Sequence, residues 1–131
     1  KQISWFANDA IIACAGLVGD FALVQLLSSP NVRIWGGAGS SQSNAGWAVG
    51  SWAIVESLSA EPGKYRINNG SYTTAGVYSA GNREGITLGS TPDPIFWSNI
   101  DVAALLVYSA ELSAGNIATV QSELNARYSI F

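Results

Sequence analysis

The sequence predicts an all-β domain, in which two antiparallel sheets form a jelly-roll sandwich with one short C-terminal helix. Three observations predict this fold. Short runs of β-branched, aromatic and aliphatic residues alternate with turn residues along most of the chain. An Asn69-Gly70 pair between two such runs is typical of a β-hairpin. Near the C-terminus, apolar residues recur every three or four positions, which indicates a helix.

Most of the chain before residue 90 is assigned to strands. The predicted strands cover residues 2–14 (one strand or a strand pair), 21–27, 32–35, 51–58, the hairpin 65–74 and 85–89. Residues 36–50 are rich in Gly, Ser, Asn and Gln, and we expect either a long loop or a loosely paired edge strand. Asn69 and Gly70 are expected to adopt positive φ in a type I′ turn. This succession of short strands with one helix favours two packed sheets.

Residues 99–108 are predicted to form a long apolar strand. Leu105, Leu106 and Val107 make a continuous apolar run within it. Such a run is typical of a strand that is covered on both faces rather than half exposed to water.

A helix is predicted to follow this strand. Ser113 is suited to the N-cap position, because its hydroxyl can accept a hydrogen bond from an amide of the first turn. One helical stripe would carry the apolar residues Ile117, Val120, Leu124 and Tyr128. Burial of each aliphatic side chain would contribute about 1.5–3 kcal/mol, so we expect the helix to dock on a sheet.

The C-terminal segment also resembles a known family. The run from Asp101 to Tyr108, the Leu112-Ser113 pair and the ending Arg127-Tyr-Ser-Ile resemble the closing segment of concanavalin A-like (laminin-G-like) lectin and glucanase domains. The hairpin with Asn-Gly at its tip and the strand at 85–89 fit the same family order. The resemblance implies a concanavalin A-like sandwich over residues 2–131, which we treat as a single domain, 1–131.

Family members carry further strands before the one that corresponds to residues 2–14. The resemblance therefore implies that N-terminal strands of the full family are lacking from this domain. The chain contains no Met, so we expect Lys1 not to be the encoded start. Because an uncovered sheet edge promotes aggregation, we expect another chain, or another segment of a longer polypeptide, to cover it.

The composition restricts the partners and the location. Only 11% of residues are charged, against about 25% in ordinary soluble proteins. The net charge of -3 and the scattered basic residues provide no stripe for a phosphate backbone, so nucleic acid is not expected. Polar residues interrupt the apolar runs, so membrane insertion is not expected either. The low charge suits an extracellular, cell-surface or virion protein, or a subunit of a homo- or hetero-oligomer.

Catalytic and metal-binding chemistry finds little support in the sequence. The chain has no histidine, which excludes Ser-His and Cys-His catalysis and His-ligated metals within it. Glucanases of the resembled family place carboxylates at alternating positions of one strand, and no such set occurs here. We therefore expect no enzyme and no cofactor. The alternative to a protein without a cofactor is a calcium ion bound at Asp20 or Asp93, although aspartates in turns are usually turn formers. Cys14 lies in an apolar run and is expected to be a buried thiol.

The candidate ligand-binding residues are tryptophans that border loops, with polar residues near them. Flat aromatic faces stack on sugar rings, and amide or guanidinium groups bind sugar hydroxyls. The candidates are Trp35, Trp47, Trp97, Arg33, Asn44, Asn82 and Arg83. For each tryptophan, packing under a loop or against a subunit is the more common role.

Three functions are compatible with the sequence. The first is a non-catalytic, lectin-like recognition or attachment module that binds surface glycans, within a virion or a surface adhesin. The second is a structural subunit of a capsid decoration, fibre or other assembly, with protein subunits as its partners. A glycoside hydrolase is the third and weakest. The fold alone does not separate them, because this type of sandwich serves all three.

Overall fold

The protein, described by a computed structural model, consists mostly of strands in two antiparallel sheets, with one C-terminal helix. The structure describes residues 1, 3–4, 10–16, 21–25, 31–36, 39–44, 47–58, 63–74, 83–90 and 97–131. The strands are β1 (Ala10–Gly16), β2 (Phe21–Gln25), β3 (Asn31–Gly36), β4 (Gly39–Asn44), β5 (Val55–Leu58), β6 (Lys64–Ile67), β7 (Thr73–Thr74) and β8 (Arg83–Leu88). The helix, α1, is Ala114–Tyr128.

The larger sheet has the strand order β4-β3-β2-β1-β8. Strands β1 to β4 pair with their sequence neighbours, as short connections favour, and β8 adds to the free side of β1. β4 pairs with β3 along its whole length, so the edge-strand alternative for residues 36–50 is confirmed at Gly39–Asn44. Its sequence, Gly-Ser-Ser-Gln-Ser-Asn, is polar, which suits a sheet edge.

The smaller sheet has the order β5-β6-β7 and contains the predicted hairpin. The hairpin is confirmed, but the predicted turn conformation is wrong. Positive φ occurs at Asn68, with φ of 53°, and not at Asn69 or Gly70. Asn68 is held in this conformation by Ile54. Its amide donates to the Ile54 carbonyl at 2.7 Å, and its side-chain Oδ1 accepts from the Ile54 amide at 2.9 Å.

The two sheets share one hydrophobic core. Its buried members from the larger sheet are Ile11, Leu23 and Val32, and those from the smaller sheet are Tyr65 and Ile67. A hydrogen bond also joins the sheets, because the Tyr65 hydroxyl donates to the Val32 carbonyl at 3.0 Å. Cys14 is half-buried against this cluster rather than fully buried.

The predicted helix and its N-cap are confirmed. The Ser113 side chain accepts a hydrogen bond from the Asn116 amide at 3.3 Å. At the other end Ser129 adopts the left-handed conformation with φ of 50°, and its amide donates to the Asn125 carbonyl at 2.7 Å. The residues of the predicted apolar stripe are half-buried: Ile117, Val120, Leu124 and Tyr128. Within the described ranges, no helix is long and apolar enough to cross a membrane.

The predicted strand at 99–108 is wrong. The segment has no regular secondary structure, and all residues from 101 to 111 are exposed. Backbone pairing is confined to the start of the segment, where Asp101 and Lys1 exchange two backbone hydrogen bonds of 2.7 Å each. Partial burial lowers the pKa of the Lys1 α-amino group, and the Asp101 carboxylate opposes that shift. No described strand lies alongside the apolar residues that follow, so nothing there covers the faces that the sequence pattern implied.

Candidate functional site

A cleft of about 260 Å³ lies between the β6–β7 hairpin and the first half of α1. The side chains that line it are mainly polar on the hairpin side and apolar on the helix side. Its polar lining consists of Lys64, Arg66, Asn69, Tyr72, Glu111 and Gln121. Leu112, Ala114, Ile117 and Ala118 provide the apolar part. The cleft therefore offers hydrogen-bonding groups and an apolar wall to one small ligand.

The alternation of β6 places its two cations at the cleft. Tyr65 and Ile67 are buried in the core, whereas Lys64 and Arg66 are half-buried on the opposite face. Side chains two residues apart in a strand point to the same side, so one four-residue strand supplies both the core and the cleft. The sequence Lys-Tyr-Arg-Ile carries this pattern.

Glu56 connects the hairpin, its neighbouring strand and the helix. It lies directly opposite Arg66 in the β5–β6 ladder. Arg66 donates from Nε to Glu56 Oε2 at 3.0 Å, and a terminal guanidinium nitrogen lies 3.0 Å from the same oxygen in an ion pair. The Tyr72 hydroxyl donates to Glu56 Oε1. Gln121, which is buried, donates from Nε2 to Glu56 Oε2 at 3.2 Å and to the Asn68 carbonyl at 3.2 Å. These contacts fix the helix against the smaller sheet.

Two cationic side chains lie over the Tyr72 ring. The Lys64 ammonium lies 4.8 Å from the ring centroid and the Arg66 guanidinium carbon 4.5 Å from it, within the range of cation–π attraction. Lys64 also forms an ion pair of 2.7 Å with Glu111. Each cation of the lining is therefore paired with a carboxylate, Lys64 with Glu111 in the cleft and Arg66 with Glu56, which does not line it. A site whose cations are paired favours a neutral polar ligand over a strongly charged one, because an ion would displace an existing pair.

Two of the predicted tryptophans differ sharply in exposure. Trp47 is only 4% exposed, belongs to the core and donates from Nε1 to the Ser51 carbonyl at 3.0 Å. It packs under the chain, and its ring has no free face for a sugar. Trp97 is 64% exposed, and its backbone forms an isolated antiparallel β-bridge with Ser90. Neither tryptophan lines the cleft.

The other predicted site residues are distributed over the larger sheet. Arg33, which is half-buried, and Trp35 lie on β3, and Asn44 lies on the adjacent strand β4. Arg83 begins β8 at the opposite edge of the same sheet. The structure describes only the backbone of Trp35, Asn44 and Arg83, and Asn82 lies outside the described residues. The structure thus brings β3 and β4 candidates onto neighbouring strands and leaves Arg83 at the far edge.

Sequence reasoning missed the residues that form the cleft. The alternating cations of β6 were a usable signal, since both point away from the core. Gln121 carried no signal of this kind in the sequence, because it lies 65 residues from Glu56 and belongs to no recognisable motif. Asp20 and Asp93, the candidates for calcium, lie outside the described residues. Among the residues that are described, no group of three or more His, Cys, Asp or Glu side chains could hold a metal ion.

Comparison with known protein families, curated proteins and solved structures found no match to this chain. The resemblance to concanavalin A-like domains therefore stays a prediction.

Proposed function

We propose that this domain is a non-catalytic recognition module that binds a neutral glycan in the cleft between the β6–β7 hairpin and α1. The observation that carries the proposal is a polar lining whose two cations are each paired with a carboxylate, Lys64 with Glu111 and Arg66 with Glu56, beside an apolar wall. Amide and carboxylate groups such as those of Asn69 and Glu111 suit sugar hydroxyls, and Leu112 and Ile117 suit the C–H face of a sugar ring. The volume of about 260 Å³ suits a single sugar residue at the end of a chain.

The fold supports the same proposal. Two antiparallel sheets with a common core are compatible with the jelly-roll sandwich of lectin-like domains. In such a module the cleft would face glycans on a cell or virion surface, and the location would be extracellular or on a particle. On β6, the cleft residues Lys64 and Arg66 and the core residues Tyr65 and Ile67 occupy opposite faces, so binding at the cleft face would not require the core to rearrange.

A glycan array, followed by titration calorimetry with the best ligand, tests this proposal. Asn69→Ala removes an exposed amide from the cleft and should weaken binding about tenfold, which corresponds to one lost hydrogen bond. Asn99→Ala is the matched control, because Asn99 is also exposed but does not line the cleft. Its affinity should equal that of the unmodified chain.

Trp97→Ala separates the cleft from the alternative site at the exposed tryptophan. We expect no loss of binding in this variant. Loss of binding in Trp97→Ala with full binding in Asn69→Ala would place the glycan at Trp97 and contradict the cleft. Absence of binding to every glycan on the array would contradict the recognition role.

A second function, a subunit of a protein assembly, is favoured by a different observation. Eleven consecutive residues, 101–111, are exposed, and they include Leu105, Leu106 and Val107. Contiguous exposed apolar residues mark interaction surfaces in soluble proteins. Hydrogen exchange of this segment within the assembled particle tests the role. Slow exchange is expected, and exchange as fast as in the isolated chain would contradict it.

A further inference from the structure

The tip of the β6–β7 hairpin carries an asparagine that is accessible together with the residue after it. Asn69 and Gly70 are both exposed, between the end of β6 and the start of β7. Asn69 is followed by glycine, whereas each of the other asparagines in the chain is followed by a larger residue. Because glycine has no side chain, its own Cα carries nothing that shields the Gly70 amide nitrogen from the Asn69 side chain.

The Asn69 side chain is able to turn toward this nitrogen. Among the residues that the structure describes, its amide has no hydrogen-bond partner. Two other asparagines are held in place: Asn68 Oδ1 accepts from the Ile54 amide at 2.9 Å, and Asn125 Oδ1 accepts from the Ile130 amide at 2.8 Å. These two side chains would lose their bonds if they rotated toward their own backbone. Asn69 thus differs from them both in its next residue and in the freedom of its side chain.

We propose that Asn69 is a site of spontaneous deamidation through a cyclic imide formed with Gly70. The Gly70 amide nitrogen loses its proton to water and attacks Cγ of Asn69. The new bond from this nitrogen to Cγ replaces the bond from Cγ to Nδ2, and Nδ2 takes up a proton and leaves as ammonia. Water then opens the imide at one of its two carbonyls. Attack at the side-chain carbonyl gives aspartate, and attack at the main-chain carbonyl gives isoaspartate.

The hairpin controls the rate of this reaction. In the folded turn the Gly70 amide donates to the Ile67 carbonyl at 3.1 Å, and this bond must break before the nitrogen can attack. Asn68 holds the turn through its two hydrogen bonds with Ile54, at 2.7 and 2.9 Å. The reactive state is therefore a local opening of the hairpin tip, so the reaction should be slower in the folded chain than in urea.

The product changes the charge of the cleft. Asn69 lines the cleft together with Lys64 and Arg66, so either product adds a carboxylate to a site that these two cations also line. Isoaspartate in addition inserts a methylene group into the backbone of the turn. The modification goes beyond the proposed glycan binding, and its chemistry requires no ligand.

Incubation of the folded, unmodified chain in warm neutral buffer tests the proposal, with peptide mapping by mass spectrometry at intervals. Conversion replaces an amino group by a hydroxyl group, and the mass of the peptide changes accordingly. Asn99 is the matched control within the same chain, because it is also exposed outside the strands and the helix but is followed by Ile100. Asn69 should be largely converted before conversion of Asn99 is detectable, and its products should include isoaspartate as well as aspartate.

Asn68→Gly tests the part played by the turn. Glycine adopts the positive φ of 53° without strain, and the substitution removes the side-chain bond to the Ile54 amide. In the folded chain this variant should speed the conversion of Asn69 about two- to tenfold, the factor expected from the loss of one hydrogen bond that opposes opening. In urea its rate should equal that of the unmodified chain, because the turn is absent there.

Two results would overturn the proposed site. They are conversion of Asn69 no faster than that of Asn99 in the folded chain, and conversion to aspartate without isoaspartate, which would indicate direct hydrolysis of the side chain. Equal rates in folded Asn68→Gly and in the folded, unmodified chain would overturn the control by the turn. Every readout is a mass or a backbone linkage, so failure of the chain to bind any glycan would leave this test unaffected.

Discussion

Replacement of Glu56 by Gln should destabilise the protein more than the same replacement at Glu111. Glu56→Gln keeps the size and shape of the side chain and removes its charge. Arg66 then loses the negative charge that it contacts at 3.0 Å. If the oxygen of the new amide faces Arg66 and Gln121, its nitrogen faces the Tyr72 hydroxyl, which can accept from it; the lost charge of the Arg66 pair is therefore the main effect.

The magnitude follows from the exposure of the groups. Hydrogen bonds to a charged partner contribute about 1.5–3 kcal/mol when they are buried. The side chains of Glu56 and Arg66 are 24% and 15% exposed, so solvent screens only part of this interaction. We expect a loss of about 1.5–3 kcal/mol in the free energy of unfolding, which for a chain of this length lowers Tm by about 5–12 °C.

Glu111→Gln is the matched control. Glu111 also pairs with a cation, Lys64, at 2.7 Å, but the side chains are 53% and 30% exposed. Exposed ion pairs contribute about 0–1 kcal/mol, so the control should lose less than 1 kcal/mol. Urea unfolding followed by circular dichroism measures both variants. Equal losses in the two variants, or an unchanged midpoint in Glu56→Gln, would refute the view that the less exposed Glu56–Arg66 pair stabilises the fold more than the Glu111–Lys64 pair.

Other variants test the core, the helix end and the tryptophans. Tyr65→Phe should cost about 0.5–1.5 kcal/mol in urea unfolding, because it removes the buried hydrogen bond from the Tyr65 hydroxyl to the Val32 carbonyl, and an unchanged midpoint would contradict this bond between the sheets. Ser129→Gly should raise stability by up to about 1 kcal/mol, since φ of 50° strains a residue with a side chain; a lower Tm would count against this. Trp47→Ala should cost about 3–5 kcal/mol and Trp97→Ala less than about 1 kcal/mol, and comparable losses would contradict their different burial.

Features with a local cause were predictable from the sequence. The hairpin was predictable because turn residues separate two strand-forming runs, and the helix start because Ser113 precedes an apolar stripe. The turn conformation was not predictable, because a contact with a residue distant in sequence overrides the local preference of Asn69-Gly70. Ile54, fourteen residues away, hydrogen-bonds Asn68 in both directions and shifts the positive φ to that residue.

Features that depend on partners distant in sequence were not predictable. An apolar run such as Leu105, Leu106 and Val107 indicates that a strand will be covered, but it does not identify the covering layer. Trp47 is the opposite case, a residue that was a candidate for an exposed site and is buried. A tryptophan beside a Gly-rich stretch has the same sequence context whether it packs in the core or is exposed, and here it is buried. The cleft depends on Gln121 reaching Glu56, which no spacing in the sequence encodes.

The exposed segment at 101–111 is anchored rather than loosely attached, and this bears on its role. Asp101 is held by two backbone hydrogen bonds to Lys1. The Ala103 carbonyl accepts from the Tyr128 hydroxyl at 3.4 Å, and Glu111 pairs with Lys64. Contacts at both ends reduce the conformational entropy that binding of a partner would remove from residues 104–108. An apolar segment held in this way is better prepared to bind another subunit than a free chain end, because part of its ordering has already occurred on folding.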